Sequence, residues 1–190
     1  MKYKKTKIDG PVVIYPDVYG DERGFFVESF QTEKYADILG GKYEFVQDNI
    51  SHSQKGVLRG LHFQTEPYAQ GKLVSVLSGS VFDVAVDIRP GSKTFGEYVS
   101  VTLNAPTRDK KGVWRWTQFW IPPGFAHGFL SLEDDTLFVY KCTNFYAPKA
   151  DAGLMWNDET IAIEWPNIET DFIISPKDKE HKNLIDLNNE

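Results

Sequence analysis

The sequence predicts an all-β protein, an antiparallel sandwich or barrel, on three observations. Short runs alternating apolar and polar residues follow one another through most of the chain, the period of strands with one buried face. Glycine-marked turns separate them, with little helical pattern between, which favours antiparallel pairing over parallel crossovers. Aromatic residues are 14% of the 190, and flat rings pack well on a pleated face.

In chain order, PVVIY (11–15) is a first strand and Gly20-Asp21 a turn. GFFVESF (24–30) is the next strand, and QTEKYADIL (31–39) is the best helix, stopped by Gly40-Gly41. KLVSVLSGS (72–80) and VFDVAVDIR (81–89) alternate, with SGS between them as a hairpin-like turn. In the second run Phe82, Val84, Val86 and Ile88 share one face, and Asp83, Ala85 and Asp87 the other. YVSVTL (98–103), QFWIP (118–122) and TLFVYKC (136–142) continue the series, and IAIEWP (161–166) adds one more strand. NAPTRDKKGVWRWTQ (104–118) begins as a charged loop and ends with Trp114 and Trp116 on one face; a twisted hairpin or a long loop would explain it. The polar C-terminal stretch is expected to lie on the surface or fray. No repeat or linker divides the chain, so residues 1–190 are expected to form a single domain.

A net charge of −6 and a pI near 5.3 argue against general nucleic-acid binding, which needs clustered positive charge. Any anionic substrate must be gripped by a few local arginines and lysines. The start, MKYKK, has no signal-peptide pattern, and no apolar run reaches membrane length. The expectation is a cytoplasmic protein with no membrane partner. The single cysteine, Cys142, sits in an apolar strand-like run, unlike an activated nucleophile.

RGLHFQTEPYAQGK (59–72) concentrates chemistry: Arg59 suits phosphate, the imidazole of His62 can move a proton, and Lys72 can hold an oxyanion. Of the four histidines, His52 and His181 lie in polar surroundings and read as ordinary surface residues. His127 follows a Pro-Pro-Gly turn. Two widely separated histidines, His62 and His127, do not complete the three-ligand set of a metal-binding barrel, so no metal is expected. Arg23 and Arg59 each adjoin a glycine, which lets a bulky anion approach the backbone. Arg23, Phe26 and Glu28 cluster with Asp21, where a ring could stack on a base. Gln47 and Asn49 offer amides. Tyr140 lies mid-strand, where most tyrosines serve packing.

Together DERGFFVESF (21–30), FVQDNIS (45–51), GVLRGLHFQ (56–64), QGKLVSVLSGSVFDVAVDIR (70–89), IPPGFAHGFL (121–130), FVYKCTNFYAP (138–148) and SPKD (175–178) resemble the dTDP-4-dehydrorhamnose 3,5-epimerase family across nearly the whole chain. The resemblance implies a cupin-like jelly roll, a double-stranded β-helix with a few short peripheral helices. It implies epimerisation of dTDP-4-dehydro-6-deoxy-D-glucose at C3 and C5, on the way to dTDP-L-rhamnose, without a cofactor. His62 matches the general base, Lys72 the stabiliser of the enolate oxygen, and Tyr140 the acid on the opposite face. Arg23, Phe26, Glu28, Gln47, Asn49, Arg59 and His127 match substrate-binding positions. A carboxylate should orient His62: Asp178 matches the family's aspartate, while Asp83 is nearer in sequence. The resemblance also implies a homodimer exchanging N-terminal strands, so that 21–30 serves the neighbouring site. It departs at 104–118, which is longer than the family's usual loop. Three other readings compete: an epimerase acting on one centre in another dTDP-deoxysugar pathway, a metal-dependent cupin, and a non-catalytic sugar-nucleotide-binding module.

Overall fold

The computed structural model describes residues 1–187. Its strands are β1 (Lys2–Lys5), β2 (Val12–Tyr15), β3 (Val18–Asp21), β4 (Gly24–Val27), β5 (Gln47–Ser53), β6 (Val57–Gln64), β7 (Lys72–Ser78), β8 (Ser80–Asp87), β9 (Tyr98–Asn104), β10 (Thr107–Arg108), β11 (Trp114–Arg115), β12 (Gln118–Ile121), β13 (Phe125–Ser131), β14 (Thr136–Cys142), β15 (Asp151–Gly153) and β16 (Ile173–Ile174). Two short helices, α1 (Thr32–Leu39) and α2 (Leu184–Leu187), and a 3₁₀ turn at Lys177–Lys179 lie outside the strands. The first sheet runs β1-β2-β12-β7-β14-β5 and the second β15-β6-β13-β8-β9, with β16 parallel to β6. This is the all-β jelly roll the sequence implied. No helix among the described residues is long and apolar enough to cross a membrane.

Alternation decides what each sheet shows to the interior. Val74, Val76, Phe119 and Phe138 of the first sheet meet Val81, Ala85, Leu103 and Phe129 of the second in one buried cluster. Phe129 stacks on Phe138 at 4.3 Å, a contact worth about 1 kcal/mol beyond the area it buries. On β8 the outward residues Phe82, Val84 and Val86 are covered by Leu154, Ile161 and Leu184 from the C-terminal part of the chain. Asp83 points the other way and is fully buried. Helix α1 forms where expected: Gln31 caps its start by accepting from Lys34 N–H, and Gly40 closes it at φ 80°. Its Tyr35 and Leu39 pack with Val12, Ile14 and Trp120 on the outer side of the first sheet.

Several expectations need correction. The SGS turn does not make a hairpin, because β7 and β8 belong to opposite sheets. The chain crosses the corner at Gly79 (φ 76°), where a Cβ would fall 2.2 Å from Thr136 Oγ1. The strand expected over 24–30 ends at Val27, where its pairing with β3 stops. Residues 161–166 form no strand: Ile161 is buried and Ile163 and Trp165 pack against the same cluster without a ladder. Residues 104–118 include a short hairpin, β10–β11, but its tryptophans separate. Trp114 lies over Gly20 and packs on Phe25 at 4.8 Å, whereas Trp116, beyond β11, is buried and donates its indole N–H to Val76 O at 2.8 Å. The C-terminal stretch is not frayed through Leu187: Asp178 and Leu184 are buried. Its last residues, 188–190, lie outside the described residues.

One glycine sets the spacing in the second sheet. Gly60 (φ 122°) lies so close to β13 that a Cβ there would sit 2.6 Å from Gly128 Cα and 2.8 Å from His127 O. Both obstacles are backbone and cannot rotate away. Gly60→Ala should therefore destabilise the protein by more than about 2 kcal/mol, read as a lowered denaturant midpoint; an unchanged midpoint would refute the tight packing.

Candidate active site

On β6, Leu61 and Phe63 point outward into the C-terminal cover, and alternation turns His62 between them inward. Its backbone is held on both sides, in register with His127 of β13 and Gly153 of β15. Beyond β15 the chain returns to pair β16 with the start of β6, at Val57 and Leu58. The turn that follows brings Asp178 back to the same strand.

There Asp178 Oδ1 lies 2.7 Å from His62 Nε2, and Oδ2 accepts from Gly60 N–H at 3.2 Å. Ser175 Oγ accepts from the backbone N–H of Asp178 at 3.1 Å, tightening the turn. Burial by itself would raise the Asp178 carboxyl. The hydrogen bond and charge of His62, with the Gly60 N–H, outweigh that and hold it below its ordinary value. An ionised Asp178 fixes the His62 proton on Nε2 and leaves Nδ1 as the nitrogen able to accept one. His62 is partly open to solvent while Asp178 is 5% exposed.

Asp83 has another partner. Both its oxygens lie 3.0 Å from His127 Nε2, in a pair buried between the sheets. Burial pushes the Asp83 carboxyl up and the His127 imidazole down. Across the interior, Lys72 opens β7 with Nζ 3.5 Å from His62 O. Burial lowers the Lys72 ammonium, opposed by the charges of Cys142, Asp83 and Asp151. Tyr140 lies on β14 opposite Val74 and Asn49, and burial raises its phenol, keeping the proton on it.

These residues surround a cavity of about 550 Å³ lined by Arg59, His62, Lys72, His127, Tyr140 and Asp178. A second lobe of about 250 Å³ shares His62, Lys72 and Tyr140 and adds Gln47 and Asn49. Gln47 Nε2 donates to Asn49 Oδ1 at 3.0 Å, and Asn49 Nδ2 to Cys142 Sγ at 3.6 Å. Arg59 is steadied by Ser53 Oγ at 3.2 Å and His52 O at 3.1 Å. Two lobes meeting at a base, an ammonium and a phenol suit a substrate with a reacting part and a handle.

The structure does not bring Arg23, Phe26 or Glu28 to this cavity in the same chain. They belong to the β3–β4 hairpin and its exit: Arg23 pairs with Asp21, Glu28 with Lys34, and Phe26 is 67% exposed. Short-range partners and the pairing of β3 with β4 keep that segment outside the barrel. The reading of His181 as a surface residue is wrong. Its side chain is 9% exposed and its Nε2 lies 3.3 Å from Asp178 Oδ1. Lys177 was also missed; it lines both lobes and pairs with Asp151. The D-x-x-H spacing at 178–181 was the available signal, since one 3₁₀ turn brings i and i+3 together. For metal binding the relevant trio is His62, Asp178 and His181, whose ligand atoms lie within 4.8 Å of one another, not His62 with His127.

A family profile described as dTDP-4-dehydrorhamnose 3,5-epimerase matches residues 5–186. A relative of that name from Escherichia coli K12 is 51% identical over 187 residues, covering 98% of this chain and 96% of its own. One from Methanothermobacter thermautotrophicus is 48% identical over 184 residues, covering 96% and 94%. Among solved structures, dTDP-6-deoxy-D-glucose-3,5-epimerase from Legionella pneumophila, in complex with dTDP-4-keto-L-rhamnose, superposes with a TM-score of 0.88 at 51% identity, covering 97% of this chain and 93% of its own.

The lowered Asp178 carboxyl carries a pH signature. A folded-state value below the unfolded one contributes stability above the ordinary carboxylate range, and that stability is lost as pH falls through the lowered value. Denaturant midpoints measured against pH should fall in that acid window for the wild type and fall less for Asp178→Asn. Parallel curves would argue against the dyad.

Proposed function

The chain belongs to the dTDP-4-dehydrorhamnose 3,5-epimerase family, and from that membership and the geometry of the cavity we propose that it inverts C3 and C5 of dTDP-4-dehydro-6-deoxy-D-glucose by proton transfer. The observation that carries the reading is the division of labour between walls. His62 stands on one sheet, Lys72 and Tyr140 on the other, and all three line one cavity.

Both C3 and C5 adjoin the C4 ketone. His62 Nδ1 takes the proton from carbon, and the C–H electron pair becomes the double bond of an enolate whose charge rests on O4. The Lys72 ammonium stabilises that oxygen; removing one such donor typically costs about 10²–10³ in rate. Tyr140 then gives its phenolic proton to the same carbon from the other face, which inverts the centre. Solvent takes the proton from His62 and returns one to Tyr140, and the cycle repeats at the second carbon. No electrons leave the substrate, so the reaction asks for no redox partner. Asp178 keeps His62 in the tautomer with a free Nδ1 and stabilises the imidazolium it becomes. Arg59, Gln47, Asn49 and His127 supply contacts for the nucleotide and sugar.

Arg23, Phe26 and Glu28 fit this scheme in a homodimer, where the exposed β3–β4 hairpin of one copy reaches the cavity of the other. An exposed phenylalanine beside an arginine is a ready surface for a base and a phosphate.

With dTDP-4-keto-6-deoxyglucose in D₂O, the wild type should place deuterium at both C3 and C5, counted by NMR. One labelled centre would instead identify a single-centre epimerase. His62→Ala should abolish exchange, and Lys72→Met should slow it by about 10²–10³; unchanged exchange in His62→Ala would remove the assigned base. For the dimer, Arg23→Ala and His62→Ala chains, each impaired alone, should regain activity when unfolded and refolded together, because a mixed pair holds one intact site. No recovery would rule out the shared site.

A further inference from the structure

One buried histidine beside the dyad has no part in the proton transfers. His181 is held where Gly153 makes room for it, since a Cβ on that glycine would sit 2.4 Å from the imidazole. Its ring meets that of His62 edge-on, with centroids 5.6 Å apart. Its Nε2 is buried, faces Asp178 Oδ1 at 3.3 Å, and makes no aligned hydrogen bond among the described residues. A buried ring nitrogen left so is costly unless something completes its contacts.

We propose that His62, Asp178 and His181 form a binding site for a divalent transition ion, Zn²⁺ foremost, and that its occupation switches the enzyme off. Two imidazoles and one carboxylate suit Zn²⁺ or Co²⁺ and disfavour Mg²⁺ and Ca²⁺. Ligand atoms around a tetrahedral zinc stand roughly 3.3 Å apart when metal–ligand bonds are about 2.0–2.1 Å. Here Asp178 Oδ1 is 2.7 Å from His62 Nε2 and 3.3 Å from His181 Nε2, and all three ligand atoms lie within 4.8 Å of one another, so an ion entering would open the first pair slightly and draw the two imidazoles together. The carboxylate is already oriented, because Gly60 N–H donates to Asp178 Oδ2. Lys177, whose charge reaches both Asp178 and His181, is itself paired with Asp151.

Switching off follows from the tautomer. An ion on Nε2 takes that lone pair, the ring proton moves through solvent to Nδ1, and the nitrogen that should accept the substrate's proton is occupied. This half rests on His62 being the base; the binding half does not.

The test uses the full chain, stripped with EDTA and dialysed, titrated with Zn²⁺ by calorimetry and with Co²⁺ by visible absorption. Expected are one ion per chain at the site, the absorption of a four-coordinate Co²⁺ centre, and deuterium exchange that falls in step with occupancy and returns with EDTA. His181→Gln, which keeps the side chain's bulk, should exchange deuterium at the wild-type rate without metal but bind Zn²⁺ at least tenfold more weakly. His181→Ala should do the same. Absence of saturable binding, or equal affinity in both variants, overturns the site. Binding that needs His181 yet leaves exchange untouched overturns the switch, and exchange in metal-free His62→Ala shows separately whether the base assignment has failed.

Discussion

The hydrogen bond between His62 and Asp178 is the contact on which the rest of the site depends. It joins residues separated by 116 positions, and neither end is free to wander. His62 is gripped between two neighbouring strands in the second sheet, and Asp178 is tied back to the same strand through Gly60. The close approach of Gly60 to β13 and the parallel pairing of β16 at the start of β6 are conditions for that bond. Backbone geometry thus does work that flexible side chains could do only at an entropic cost.

A jelly roll suits a reaction that needs opposite faces of a substrate. Its two sheets present inward side chains across a shared interior, and strand alternation lets one strand serve two purposes. On β14, Phe138 packs in the apolar core, Tyr140 lines the cavity and Cys142 is buried beyond it, while Lys141 between them pairs outward with Asp48. The interior is accordingly graded. Phe129 and Phe138 close it at one level, and the His127–Asp83 pair and Lys72 make it polar at the next. Each buried charge there has an opposing partner or a hydrogen bond, as a low-dielectric interior demands.

What the sequence made legible follows from which interactions are local. Alternation identified β2, β7, β8, β9, β12 and β14, and the Gly40-Gly41 stop located α1, because both signals are carried by neighbours in the chain. Strands β5, β6 and β13, which carry Gln47, Asn49, His62 and His127, do not stand out by it. The turn at Gly79 misled: a short glycine-containing link looks the same whether it folds a strand back beside its predecessor or passes it to the opposite sheet. IAIEWP reads as a strand by composition but pairs with nothing, since apolar residues can cover a sheet as well as extend it. Within the site, His62 and Lys72 were conspicuous beside Arg59. Asp178 looked exposed on its own residues and came forward only through family resemblance, and His181 did not come forward at all. Their burial depends on contacts with β6, far back in the chain, which no local pattern announces. Trp114 and Trp116 were separated by the end of β11, a boundary of one residue that periodicity cannot fix.

The late position of Asp178 has a consequence for synthesis. The sheets, His62, Lys72 and Tyr140 are all encoded before it, and Leu184, which covers the outward face of β8, is encoded after it. The proposed dyad and the cover of the second sheet are therefore completed in the same last stretch of chain, so a protein lacking that stretch would lose its orienting carboxylate together with part of its core.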